Sequence, residues 1–138
     1  MVKILFEKDK CLGCKTCELA CAAAHSKAGT LLGAIKEKAV SRIRIKVKNG
    51  KLRVEQCSLC SNPKCISACP AGALSRSEAG IIKVDTPSCN KCGMCQDACP
   101  FGAIALTDYP TVCDRCVELD EPSCVKACPT RALKIKAV

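Results

Sequence analysis

The sequence predicts a small α+β fold of short β-hairpins and short helices, and three observations predict it. Cysteine recurs in four similar runs, an alternating hairpin signature lies between the first two of them, and the large side chains of an ordinary core are missing. A chain of 138 residues is the size of one domain. It has no Trp, one Tyr (Tyr109) and two Phe (Phe6 and Phe101), and without its sixteen Cys the apolar fraction falls from 49% to about 37%. Something other than bulky side chains must fill the interior.

Short, half-buried strands are expected at Val2–Phe6, Ile81–Val84, Ala103–Leu106 and Leu133–Lys136. Lys27 to Val40 carries Leu31, Leu32, Ile35 and Ala39 on one side and Lys36, Glu37 and Lys38 opposite, which predicts a weakly amphipathic helix packed against the domain. Ser41 to Glu55 reads as a β-hairpin. Ile43, Ile45 and Val47 alternate with charge, Asn49-Gly50 supplies the turn, and Leu52 and Val54 resume the pattern. A two-residue turn pairs Val47 with Leu52 and Ile45 with Val54, and on the other face Lys48 with Lys51, Lys46 with Arg53 and Arg44 with Glu55. The two like-charge pairs cost stability unless a negative group is near. That basic face is read as solvated, with docking of an acidic protein as the alternative.

The runs are Cys11, Cys14, Cys17, Cys21; Cys57, Cys60, Cys65, Cys69; Cys89, Cys92, Cys95, Cys99; and Cys113, Cys116, Cys124, Cys128. The last three end in Cys-Pro, whereas Cys21 is followed by Ala22. Proline there fixes φ and withholds a donor, turning the chain away. Three sulfurs two residues apart lie on one tight loop that can wrap an inorganic cube and aim amide N–H groups at its sulfur; the fourth Cys faces a neighbouring centre. A disulfide framework would need export. The segment from Met1 to Lys10 shows no signal peptide, and no apolar run is long enough for a membrane helix, so a cytoplasmic, metal-binding chain is expected. The formal charge of +9 would suggest nucleic acid, but sixteen thiolates and four oxidised cores of about +2 each bring the total near +1. The basic excess thus compensates buried anionic centres, and no nucleic-acid partner is expected. Structural zinc, in a zinc-stabilised interaction module, is the alternative, although zinc sites use pairs of pairs rather than triplets with an outlier.

Nineteen residues separate Cys69 from Cys89, and with the Cys-Pro endings the second and third runs resemble bacterial two-cluster ferredoxins. That resemblance implies that runs two and three pair, leaving one and four to each other, and that the terminal strands pair. The implied architecture is two interleaved ferredoxin-like modules in one polyferredoxin domain, an outer one (1–40 plus 107–138) and an inserted one (41–106). Four [4Fe-4S] clusters follow: Cys11, Cys14, Cys17 with Cys128; Cys113, Cys116, Cys124 with Cys21; Cys57, Cys60, Cys65 with Cys99; and Cys89, Cys92, Cys95 with Cys69.

The whole chain resembles the four-cluster ferredoxin subunits of multi-subunit redox enzymes. Lys10 to Cys21, Ala24-His25-Ser26 and Leu31 to Ile35 look most like the iron-sulfur subunit of nickel carbon monoxide dehydrogenase. The resemblance implies an anaerobic electron carrier between that enzyme and a hydrogenase or a flavin-dependent NAD(P) oxidoreductase. Formate dehydrogenases, hydrogenases and other molybdenum or tungsten oxidoreductases are the alternative partners. No catalytic set is recognisable, so the chain is read as a carrier without a substrate site. His25, the sole histidine, is expected to cap or lie at the surface, with donation to a cluster sulfur as the alternative. The loops Ser61–Lys64 and Val117–Ser123 enlarge two runs and are candidate partner surfaces.

Overall fold

The computed structural model describes residues 2–137. Among the described residues the strands form antiparallel pairs. β1 (Val2–Phe6) pairs with β8 (Leu133–Ala137), Phe6 opposite Leu133, so these two strands form one ribbon. β2 (Arg44–Lys48) and β3 (Lys51–Glu55) turn at Asn49 and Gly50, whose φ values of 53° and 72° make the left-handed turn that matches strand twist. Their register is the one the alternation predicts: Ile45 faces Val54, Val47 faces Leu52, and Lys46 faces Arg53. β4 (Leu74–Arg76) pairs with β5 (Ile82–Val84), and β6 (Ala105–Leu106) with β7 (Pro110–Thr111). Two of these strands are shorter than expected: β5 begins after the bond that closes its hairpin, and β6 after a backbone group that turns to a sulfur. The Ile81 carbonyl accepts from Ser77 N to close the preceding turn, and Ala103 N–H donates to a cysteine sulfur.

Among the described residues there are also a 3-10 turn (Lys8–Lys10) and five short α-helices: α1 (Thr16–Ala24), α2 (Leu31–Glu37), α3 (Lys64–Ala68), α4 (Met94–Ala98) and α5 (Ser123–Ala127). In α1, α3, α4 and α5 the second residue is the third cysteine of a run. The two compact runs turn into their helices through left-handed residues, Lys15 and Gly93, whereas the two enlarged runs use Pro63 and Pro122. α3, α4 and α5 each stop one residue before the Cys-Pro step, where the missing donor ends the ladder. With Ala22 in place of that proline, α1 runs on past Cys21 to Ala24.

α1 packs on α5 and α3 on α4, giving two apolar groups. One joins Cys17, Cys21 and Cys124 to Ile43, Ile45 and Leu133; the other joins Cys95 to Leu74, Ile82, Ile104 and Val112, with Cys57, Cys65, Cys69 and Cys99 against it. Cysteine stands where larger side chains would in an ordinary core. The hairpin spans both groups: Ile43 and Ile45 are buried in the first, while Arg44 donates to the Gly102 carbonyl beside the second. Gly102 takes a left-handed φ of 62° beside the Glu55 carboxylate, a conformation that favours glycine there.

The hairpin departs from the expected burial at its tip, where Val47 is exposed. Its charged face is relieved by Glu55, which lies 3.8 Å from Arg44 and 3.9 Å from Lys46. The helix expected over Lys27–Val40 is confined to Leu31–Glu37 by the Thr30 cap, whose Oγ1 accepts from Gly33 N at 3.1 Å, and by left-handed Lys38. Its orientation corrects the sequence reading. Ala34 is the buried residue, and Leu31, Leu32 and Ile35 are exposed. Gly33 lies so close to Ala28 that no side chain fits there, and small residues therefore form the packed side. Among the described residues, no helix is long and apolar enough to cross a membrane.

Candidate metal centres

The cysteine runs share a backbone device that the sequence does not announce. In each run the residue two beyond the first Cys is left-handed: Gly13, Leu59, Lys91 and Arg115, with φ of 69°, 50°, 61° and 57°. This turns its N–H back toward the sulfur, so Gly13, Lys91 and Arg115 donate to Cys11, Cys89 and Cys113 at 3.4, 3.4 and 3.5 Å. The Leu59 amide likewise bonds the Cys57 thiol. Only glycine adopts this conformation freely; the other three residues pay on the order of 1–2 kcal/mol each, which the packing around the sulfurs must offset.

A second device follows each Cys-Pro step. Ala73, Ala103 and Ala132 donate backbone N–H to Cys69, Cys99 and Cys128 at 3.2, 3.4 and 3.3 Å, after left-handed Gly72, Gly102 and Arg131. Cys21 lacks this loop because α1 continues through it. Its sulfur accepts instead from Arg42 N, twenty-one residues away in sequence, at 3.2 Å.

These devices surround three small clefts lined by cysteine. Cys57, Cys60, Cys65 and Cys99 line the first, Cys11, Cys14, Cys17 and Cys128 the second, and Cys69, Cys89, Cys92 and Cys95 the third. The same set of four sulfurs at each suits one kind of guest. The remaining cysteines converge on Cys124, which burial pushes up to about 12, with Cys113, Cys21 and Cys116 among the neighbouring thiols that would repel a thiolate there. Burial likewise raises Cys17 to about 11. Bare thiolates are therefore disfavoured at these positions, whereas a metal that accepts the sulfur electrons displaces the proton. Four sulfurs per site, aimed N–H groups and apolar walls fit a [4Fe-4S] cube.

His25 combines the two roles weighed for it. It caps α1, with Nδ1 2.8 Å from the Cys21 carbonyl and 3.6 Å from Cys21 Sγ, and its Nε2 lies 3.0 Å from Asp114 Oδ1. The Asp114 hydrogen bond, then the Cys21 sulfur, raise His25 to about 10. Burial pushes Asp114 up, but His25, the Cys116 amide and Arg42 outweigh it and hold the carboxyl at about 2. The ring and carboxylate tie the end of run one to the start of run four.

Two buried polar residues went unnoticed in the sequence. Arg115 is 5% exposed; its Nη1 donates to Cys113 Sγ at 3.0 Å and its Nη2 to the Cys57 carbonyl. Gln56, 8% exposed, directs Nε2 at Cys113 Sγ (3.6 Å) and Cys124 Sγ (3.9 Å). Their positions, inside a Cys-x2-Cys loop and next to a run's first Cys, are the available signal. Neither hydropathy nor spacing marks them as buried.

Comparison with known proteins places these features among iron-sulfur proteins. A family described as "4Fe-4S dicluster domain" matches residues 48–138, and one described as "4Fe-4S binding domain" matches residues 8–24. An iron-sulfur protein of Rhodospirillum rubrum is 34% identical over 155 aligned positions, covering 97% of this chain and 81% of its own length. The electron transport protein HydN of Escherichia coli is 31% identical, with 94% and 85% covered, and the thiosulfate reductase electron transfer subunit PhsB of Salmonella typhi is 32% identical, with 95% and 73% covered. Among solved structures, the BamBC active-site complex of benzoyl coenzyme A reductase contains a chain with TM-score 0.51 and 24% identity, covering 99% of this chain and 75% of that one, a likeness of fold.

Proposed function

The chain belongs to the 4Fe-4S dicluster ferredoxin-type family of electron-transfer proteins, and from that premise we propose that it holds four [4Fe-4S] clusters and carries electrons between two redox partners. Like its relatives it is an iron-sulfur electron-transfer protein of oxidoreductase systems, not itself a catalyst. The observation that carries the fourfold reading is the gathering of cysteines in fours, each fourth sulfur coming from a different run. When bound, each cluster supplies a one-electron carrier that cycles between two charge states without breaking bonds. The protein's own residues hold sixteen thiolates, shield them with apolar walls and aim N–H groups at sulfur to stabilise the reduced, more negative state.

Exposure differentiates the four ligand sets. Cys14 and Cys92 are the exposed cysteines, and they lie in the sets of Cys11 and Cys89. The sets of Cys113 and Cys57 lie between, linked through Arg115 and Gln56. Partners therefore dock near Cys14, beside exposed Leu12, and near Cys92, beside exposed Met94. A carbon monoxide dehydrogenase on one side and a hydrogenase or flavin-dependent NAD(P) oxidoreductase on the other is the partner reading that the residues around Cys11 to Ile35 support; PhsB, named for thiosulfate reductase, favours a reductase of that kind as the second reading.

Anaerobically purified protein tests this reading. Its brown colour should bleach with dithionite and return with an oxidant. Carbon monoxide plus a carbon monoxide dehydrogenase should bleach it at a rate that saturates with this protein. Bleaching by dithionite alone would retain the carrier and discard that partner; no bleaching at all would discard both.

A further inference from the structure

The four cysteine sets differ in what donates to their sulfurs. Cys57, Cys60, Cys65 and Cys99 receive backbone N–H groups from Leu59 and Ala103, and the set of Cys89 receives them from Lys91 and Ala73. The set of Cys11 adds two hydroxyls to its backbone donors, Thr16 Oγ1 3.3 Å from Cys14 and Thr130 Oγ1 3.7 Å from Cys128. Cys113, Cys116, Cys124 and Cys21 are surrounded differently. A buried guanidinium, a buried amide, an imidazole and two backbone N–H groups, from Arg115 and Arg42, all reach their sulfurs. The guanidinium, amide and imidazole are side-chain donors added to the shared backbone devices, of which the Arg115 N–H is one.

We propose that Arg115 and Gln56, assisted by His25 and the Arg42 amide, make the site of Cys21, Cys113, Cys116 and Cys124 the most easily reduced of the four, an electron store at the junction between the two halves of the chain. The proposal rests on the four-cluster reading above. One electron, supplied by a reduced neighbouring site, lowers the charge of the site by one unit with no bond made or broken. A fixed cation and N–H donors favour that added negative charge, and in a water-poor interior they do so strongly. Asp114 is the opposing charge nearby. Its carboxylate is held by His25 at 3.0 Å and Arg42 Nη1 at 3.3 Å and accepts from Cys116 N at 2.9 Å, so it enters the site already paired. Arg115 also bonds the Cys57 carbonyl, and Gln56 precedes Cys57 in the chain, so the residues that set this site's preference also span to the next.

The test is a reductive titration of anaerobic holoprotein followed by electron paramagnetic resonance, with iron and sulfide measured on every sample. Cys21→Ser identifies the signal belonging to this site. In the wild type that signal should be the first of the four to develop on reduction. In Arg115→Gln it should move to more negative potential while the other three stay within error, and in Gln56→Leu it should move the same way by less. Arg53→Gln removes one charge from the exposed hairpin face and should move none of them. The proposal is overturned if the Cys21-dependent signal is not the first to develop, or if it stays in place in a fully loaded variant. Should Arg115→Gln fail to load its iron, Gln56→Leu, which leaves every charge in place, decides on the same criterion. Wild-type protein without sulfide would instead overturn the four-cluster reading itself.

Discussion

One substitution in the repeat, Ala22 where the other runs have proline, reorganises its surroundings. α1 gains the turn that carries His25, and Cys21 exchanges a local amide for that of Arg42. Ala22→Pro would remove a helical hydrogen bond and crowd the preceding turn, and we expect a loss of about 3 kcal/mol or more in chemical denaturation, with the His25 cap lost. The ligand assignment is tested at the same scale. Cys69→Ser should alter the electron paramagnetic resonance signal of the set containing Cys89, Cys92 and Cys95 and spare that of Cys57, Cys60 and Cys65; the reverse would refute the crossed arrangement. At this scale the sequence was legible for cysteine and silent for its donors. Sulfur spacing repeats and can be read, but the left-handed turns at Leu59, Lys91 and Arg115 occur at residues with no propensity for them, and Arg115 and Gln56 look like surface residues until the loop closes over them.

Among the elements, the hairpin was readable to the residue because alternation and Asn49-Gly50 fix its register independently of everything else. Its unrelieved like-charge pair is Lys48 opposite Lys51, so Lys48→Glu should stabilise the protein by roughly 0.2–1 kcal/mol, measured as a shift in denaturation midpoint. Helix α2 was misread because its leucines suggested a buried stripe. The loop before the helix approaches so closely at Ala28 that Gly33 has room for no side chain, Ala34 is the buried residue, and the leucines lie outside. The ribbon of β1 and β8 is clasped by Glu7, 2.8 Å from both Lys10 and Lys134, whose hydrogen bonds, Lys10 first, hold the carboxyl at about 2 rather than its ordinary 4.5. A depressed carboxylate contributes stability above its ordinary value and loses it as pH falls through the folded one. Hydrogen exchange in this ribbon should therefore be slower in the wild type than in Glu7→Gln at neutral pH, with the gap closing between about 4.5 and 2. A gap unchanged over that range would show that the clasp is not electrostatic.

At the scale of the whole molecule, the absence of aromatic bulk was the most informative feature of the sequence. It required an interior made of something else, and the two apolar groups of the structure are indeed assembled around cysteine. What could not be read was how the halves join, since that junction is made by loop residues with no periodicity. The sulfurs can lie together as thiolates only around metal, so chelation or oxidative loss of iron should unfold the chain rather than leave an empty scaffold, seen as loss of far-ultraviolet circular dichroism together with colour. The most direct measurement of the central claim is the iron and acid-labile sulfide content of oxygen-free protein. Four cubes held by sixteen thiolates predict about sixteen of each per chain, whereas zinc at roughly four per chain with no sulfide would contradict the account.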